Sequence, residues 1–192
     1  MRFLFLTIVL LVFSMLMFSQ TPTKDEKPVT IKDRFFLGLH FNMQVNGAVT
    51  LTELTPSAGF RFYPWFAAGI KLPYEFYHEK VIAHTVNSHI FGIGAFTTFQ
   101  IISDFSKVLP VKSNGGLFAQ LEYENLNFEN YILNASATNS SERAWNQTYF
   151  GGIGLNQKIN KRSSVYILCL LAYSPSNKLI YQNPVIRFGF TF

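Results

Sequence analysis

Three of the four histidines, His78, His84 and His89, lie in the single stretch "HEKVIAHTVNSH", with Glu79 and Ser88 among them. Histidine beside serine and a carboxylate is the ingredient set of nucleophilic or general-base chemistry. The H-x5-H-x4-H arrangement also offers nitrogen ligands of the kind zinc takes. Neither set has the spacing of a recognised catalytic or metal motif, and a polar loop more simply exposes its histidines to water. No catalytic residue, cofactor or metal site is therefore expected. Cys169 is the only cysteine, so no intramolecular disulfide can form; in "YILCLLAY" it reads as a small apolar side chain.

The other reactive side chains are charged, and they are sparse. Charged residues make up 14% of the chain, against roughly 25% in an ordinary soluble protein. Aromatics reach 17%, with 21 Phe. The net charge of +5 and pI near 9.3 come from scattered Lys and Arg, densest in "NKR" at 160–162. Without a basic stripe or an aromatic RNA motif, no nucleic-acid partner is expected.

The elements that must position these charges are strands. After the N-terminal segment no stretch sustains a helical period, whereas alternation with a period of two recurs. The predicted strands are Arg34 to Val45, Leu51 to Tyr63, Phe66 to Tyr77, Ile90 to Ile101, Leu117 to Phe128, Gln147 to Ile159, Ser163 to Ser174 and Pro184 to Phe192. Most are close to the roughly 9–11 residues of a tilted transmembrane strand. Tight connections at Pro64–Trp65 and Asn160–Arg162 alternate with longer polar ones at 78–89, 130–146 and 175–183, as in an outer-membrane barrel. The stretch 103–116 is long where a short turn is expected.

Alternation alone does not say which face is inside, and glycine decides it. Gly38, Gly59, Gly69, Gly92, Gly94, Gly152, Gly154 and Gly189 all fall on the polar phase of their strands. An eight-stranded barrel is only just wide enough inside for side chains, so the glycine-rich face fits the interior and the Phe/Leu/Ile face must look outward. This places Glu53, Arg61, Lys71, Glu75, Glu122, Glu124, Lys158 and Arg187 in the lumen, four acids with four bases. Buried charges persist when paired and hydrogen-bonded, so a cross-barrel salt-bridge network is predicted. Gln44, Gln100, Gln120 and Asn156 are further partners, and His40 is a lumen hydrogen-bonder. The seventh strand is apolar on both phases, which leaves its orientation open. Tyr63, Trp65 and Phe66 at one end, and Tyr131, Trp145, Tyr149, Tyr173 and Tyr181 at the other, are placed to form aromatic girdles.

The first residues, "MRFLFLTIVLLVFSMLMFSQ", pair a positive start with an apolar core of secretory-signal length. The expected organisation is a signal peptide at 1–20, a polar periplasmic linker at 21–33 and a barrel domain at 34–192. The chain closes on an amphipathic strand in which Ile186, Phe188, Phe190 and Phe192 share one face.

With that ending, and with "PSAGFRFYPWFAAGI" and "LFAQLEYENLNF" reading as barrel strands, the chain resembles the small outer-membrane β-barrel proteins of Gram-negative bacteria, in the OmpX/OmpA-like and PorT-like group. The resemblance implies an all-β fold, an eight-stranded antiparallel up-and-down transmembrane barrel in the outer membrane, surrounded by its lipid. It also implies that Ile186, Phe188, Phe190 and Phe192 form the signal read by the barrel-assembly machinery, with periplasmic chaperones as partners during biogenesis. It transfers no single activity, because such folds host several. A closed, salt-bridged lumen with the work done by exposed loops, above all Glu129 to Asn146, is the leading expectation. A pore for ions or small solutes, a lipid-modifying enzyme using the histidine stretch, and a secreted lipocalin-like lipid binder are the alternatives.

Overall fold

The computed structural model describes residues 31–81, 84–108, 115–129, 132, 143–160, 163–175 and 180–192. The predicted signal peptide, nearly all of the linker and the Asn134–Ser141 segment lie outside the described residues. Among the described residues, nine strands follow a single helical turn at Ile31–Arg34: β1 (Phe35–Asn46), β2 (Val49–Tyr63), β3 (Phe66–Lys71), β4 (Tyr74–Val81), β5 (His84–Ile102), β6 (Gly115–Glu129), β7 (Arg143–Lys158), β8 (Ser164–Tyr173) and β9 (Val185–Thr191). All pairings are antiparallel, and β1 meets β9 from Gly38↔Thr191 to Phe41↔Phe188, which closes an up-and-down barrel.

The ring has eight staves, because β3 and β4 are two pieces of one, each pairing with both β2 and β5. The break falls at Leu72–Pro73, where proline has no N–H to give the ladder. Leu72 N donates to Pro56 O at 3.0 Å and Gly92 N to Pro73 O at 3.0 Å, so the interrupted backbone is satisfied on both sides. Phe35 and Phe192 share one rim, here called proximal, and Leu37 and Phe192 exchange a pair of backbone hydrogen bonds of 2.9 Å there.

One connection at the opposite, distal rim differs from expectation. The stretch "HEKVIAHTVNSH" is a hairpin and not a long loop: β4 and β5 stay paired from Tyr74↔Phe91 to Val81↔His84. Its polar side chains hid it from a pattern search, because strand pairing there rests on the backbone ladder and not on an apolar face. The β1–β2 connection is a tight two-residue turn at Gly47–Ala48 with Gly47 at φ 56°, a left-handed conformation that glycine adopts without cost.

Side chains alternate strictly across the wall. Phe35, Leu37, Leu39, Phe41 and Met43 face out, and Phe36, His40 and Asn42 are buried inside. The register of β8 settles the face that its sequence left open: Leu168 lies opposite Arg187 and Leu170 opposite Val185, so Ile167, Cys169, Leu171 and Tyr173 look outward. Ile70, Leu121 and Leu171 are about 60% exposed (64%, 58% and 63%), as members of a continuous apolar outer wall. Soluble monomers rarely present more than a few hundred Å² of such surface.

Candidate functional site in the lumen

Four staves bring their inward phases to one level at mid-barrel. β9 supplies Arg187, the stave of β3 and β4 supplies Lys71 and Glu75, β2 supplies Glu53, and β6 supplies Glu122 and Glu124; all six are at most 4% exposed. The Arg187 guanidinium is the hub. It donates to Glu53 through Nε at 3.0 Å, to Glu124 through Nη2 at 2.8 Å and to Glu122 through Nη1. Lys71 Nζ bridges Glu122 and Glu124 from the other side. A planar, five-donor guanidinium can hold three carboxylates at once, which an ammonium cannot match in geometry.

Further polar groups complete this lock. His40 Nε2 lies 3.1 Å from Glu53 Oε1, Thr55 Oγ1 donates to the same oxygen at 3.0 Å, and Gln120 Nε2 donates to Glu122 at 2.7 Å. Tyr181 reaches in from the β8–β9 connection, and its hydroxyl bonds Glu75 and also Glu124 at 2.8 Å. Its ring stands edge-on to Phe150 at 5.1 Å, and Arg187 sits over the Phe150 ring at 4.6 Å. Above the lock, Leu51, Tyr77, Ile90, Leu126, Phe128 and Val185 form an apolar layer under the distal rim.

Below the lock the lumen is built differently. Phe36, Phe96, Phe118 and Tyr166 each stand opposite a glycine of the neighbouring strand: Gly59, Gly69, Gly154 and Gly189. A Cβ on any of these glycines would approach the facing ring to between 2.2 and 2.6 Å. The missing side chain lets each ring lie flat against the wall, as when an aromatic covers a strand glycine. A chamber of ≈120 Å³ stays open between the rings, and it widens into a ≈260 Å³ vestibule at the proximal rim.

No protein-family model matches the chain, and no curated protein does. Among solved structures, the chain is similar to the N-terminal β-barrel domain of Pseudomonas aeruginosa OprF. The TM-score is 0.43 at 12% identity, over 83% of this chain and 96% of that one.

Of the eight charged residues expected to form one network, six meet in the lock and two do not. Arg61 lies in the chamber with its guanidinium 4.9 Å from the Phe36 ring centroid, and Lys158 is exposed at the vestibule. The balance of four acids with four bases is thus four acids with two fixed cations. The reason is axial height: phase puts all eight inside, but Arg61 and Lys158 are nearer the proximal ends of their strands. At that rim Asp104 is held below the ordinary carboxylate range by hydrogen bonds from the Ser106 hydroxyl, 2.7 Å, and backbone N–H, 2.9 Å; its charge offsets that of Lys158.

Other expected partners divide in the same way. Gln120 joins the lock, Gln100 and Asn156 bond each other at 3.2 Å in the chamber, and Gln44 exchanges two hydrogen bonds with the Gln182 backbone at the distal seam. Tyr181, expected in a girdle, is buried in the lumen at 3% exposure. Tyr131 lies outside the described residues. Tyr149, Tyr173 and Trp145 face outward, while Tyr63 and Trp65 stack at 5.4 Å beside the chamber mouth. Ile186, Phe188, Phe190 and Phe192 form one outward, exposed face.

The histidine stretch does not converge. His78 bonds Asn87 at 2.7 Å and His89 bonds the Tyr74 hydroxyl at 2.8 Å on the outer wall. Ser88 is buried, and Glu79 takes a hydrogen bond from the inward Tyr77. The side chain of His84 lies outside the described residues. Sequence reasoning missed Tyr181 and the ring–glycine pairs, because a loop residue carries no phase and cross-strand neighbours need a register.

Proposed function

We propose that this chain is an integral outer-membrane barrel, OmpX/OmpA-like in kind and non-enzymatic, whose lumen is sealed and whose work is done at its ends. One observation carries the reading: an Arg187–Lys71–carboxylate lock beneath an apolar layer crosses the middle of the lumen of a barrel whose outer wall is apolar. Lipid is the solvent that such a wall fits, since a closed barrel satisfies its whole backbone internally. Paired charges in low dielectric oppose a continuous water path, and eight staves leave little width for one.

The remaining roles rest on the resemblance and the rim chemistry. The outward face of Ile186, Phe188, Phe190 and Phe192 is the proposed signal for the barrel-assembly machinery, with periplasmic chaperones delivering the chain. The distal connections, above all Glu129 to Asn146, are the proposed surface for extracellular interaction or envelope integrity.

Single-channel recording of the refolded protein in a planar bilayer tests the sealed lumen. Wild type is expected to be silent, and Glu122→Gln and Arg187→Gln to leak. Discrete conductance steps in wild type would overturn sealing in favour of a solute pore. The membrane address has its own test: unboiled and boiled samples should migrate differently on a detergent gel, and identical migration would count against it.

A further inference from the structure

We propose that the proximal chamber is a binding site for a small aromatic carboxylate, with Arg61 as its anion anchor. The inference goes beyond the sealed-barrel reading; the site itself rests on the geometry of the lumen, and its single mouth rests on that reading.

Three features separate this chamber from leftover space. The first is its charge. Arg61 lines both the chamber and the vestibule, while no carboxylate lines either space among the described residues. Lys71 at the floor is engaged by the acids of the lock, and Lys158 at the entrance is offset by Asp104. Arg61 has no ion pair among the described residues; its guanidinium lies over the face of Phe36. A half-buried guanidinium without a carboxylate is an anion site of the bidentate kind.

The second feature is the walls. Four rings held flat by glycines offer π-faces around a space of ≈120 Å³. That is of the order of the roughly 150 Å³ apolar cavity that accommodates benzene in a protein interior. Inorganic anions would leave these faces unused, whereas a planar ring would stack or pack edge-on against them. The third is the polar lining opposite the rings: Gln100, Gln120, Asn156 and Ser164 stand on the chamber wall, where a ring substituent bearing O–H or N–H finds a hydrogen-bond partner.

The entrance lies on the rim that carries Phe35 and Phe192, and the lock closes the far side. A ligand would therefore enter and leave through the same mouth, past the stacked Tyr63 and Trp65. The site is one of capture and not of passage.

The test is fluorine NMR of 4-fluorobenzoate added to the purified protein in zwitterionic micelles, with 4-fluorobenzyl alcohol as the neutral comparator. The expected result is a saturable shift or broadening of the carboxylate. Arg61→Gln should weaken it by about tenfold or more, as loss of a charge-assisted hydrogen bond implies, and Arg61→Lys should weaken it less. Equal binding by the alcohol, an unchanged response in Arg61→Gln, or no saturable response in wild type would overturn the proposal. Should Arg61→Gln fail to fold, the comparison of carboxylate and alcohol on wild type decides alone.

Discussion

The two halves of the lumen receive the same kinds of side chain and treat them oppositely. At mid-barrel, Arg187 and Lys71 are surrounded by Glu53, Glu122 and Glu124, and both cations are fully paired. Toward the proximal rim, Arg61 faces amides and aromatic rings across an open chamber, and Lys158 stands at its vestibule. The difference teaches that a lumen-facing charge has no fixed role in a small barrel. Its axial height decides whether it meets an acid or a void, and glycine on the neighbouring strand decides whether a ring fills that void or lines it.

The sharpest way to break this contrast is at Arg187. Arg187→Leu leaves three buried carboxylates without their hub and is expected to destabilise the barrel by about 3–5 kcal/mol. Arg61→Leu, which loses only a cation–π contact, should cost about 1 kcal/mol or less. Urea unfolding in micelles, followed on a gel that separates folded from unfolded barrel, reads both. Similar losses at the two sites would erase the distinction between lock and chamber.

Smaller effects sharpen it. Tyr181→Phe removes the donor shared by Glu75 and Glu124 and should cost about 1–3 kcal/mol in the same assay, because buried acceptors lose their partner. No loss would mean that the β8–β9 connection does not cap the lock in solution. Gly154→Val would drive a side chain into the Phe118 ring. An overpacking cost of about 1–3 kcal/mol is expected, together with loss of fluorobenzoate binding as the ring swings into the chamber. Retained binding would show that the rings need no glycine behind them.

The smallest perturbation tests the outer wall against the inner one. A spin label on Cys169, the only cysteine, should change stability by no more than about 0.5 kcal/mol. In bilayers its relaxation should respond to oxygen and hardly at all to a water-soluble nickel chelate. The reverse response would place the outward face of β8 in water.

Much of the barrel is legible in the residues themselves. The eight glycines on the polar phase orient the wall, and β1, β2, β6 and β7 lie within a few residues of their predicted bounds. The distal end of the β4–β5 hairpin was hidden because its outer positions, His78, Lys80, Asn87 and His89, carry no apolar alternation, so only the backbone ladder identifies it. Pro73 was visible as a residue, yet whether it ends a strand or merely interrupts a stave depends on Pro56 O and Gly92 N supplying the missing hydrogen bonds.

The amino-acid order by itself determined which side chains share a face, because strand phase is a local property with a period of two. It thereby placed Glu53, Lys71, Glu75, Glu122, Glu124 and Arg187 inside, and Ile186, Phe188, Phe190 and Phe192 outside. Tertiary structure alone decided who meets whom. Register and stagger set the height of each residue along the barrel axis, and these are relations between strands far apart in the chain, such as Glu53 and Arg187, which no local pattern encodes. That is why the lock's residues could be named from the sequence, while the separation of Arg61 from them, the inward turn of Tyr181 and the chamber between four rings had to wait for the fold.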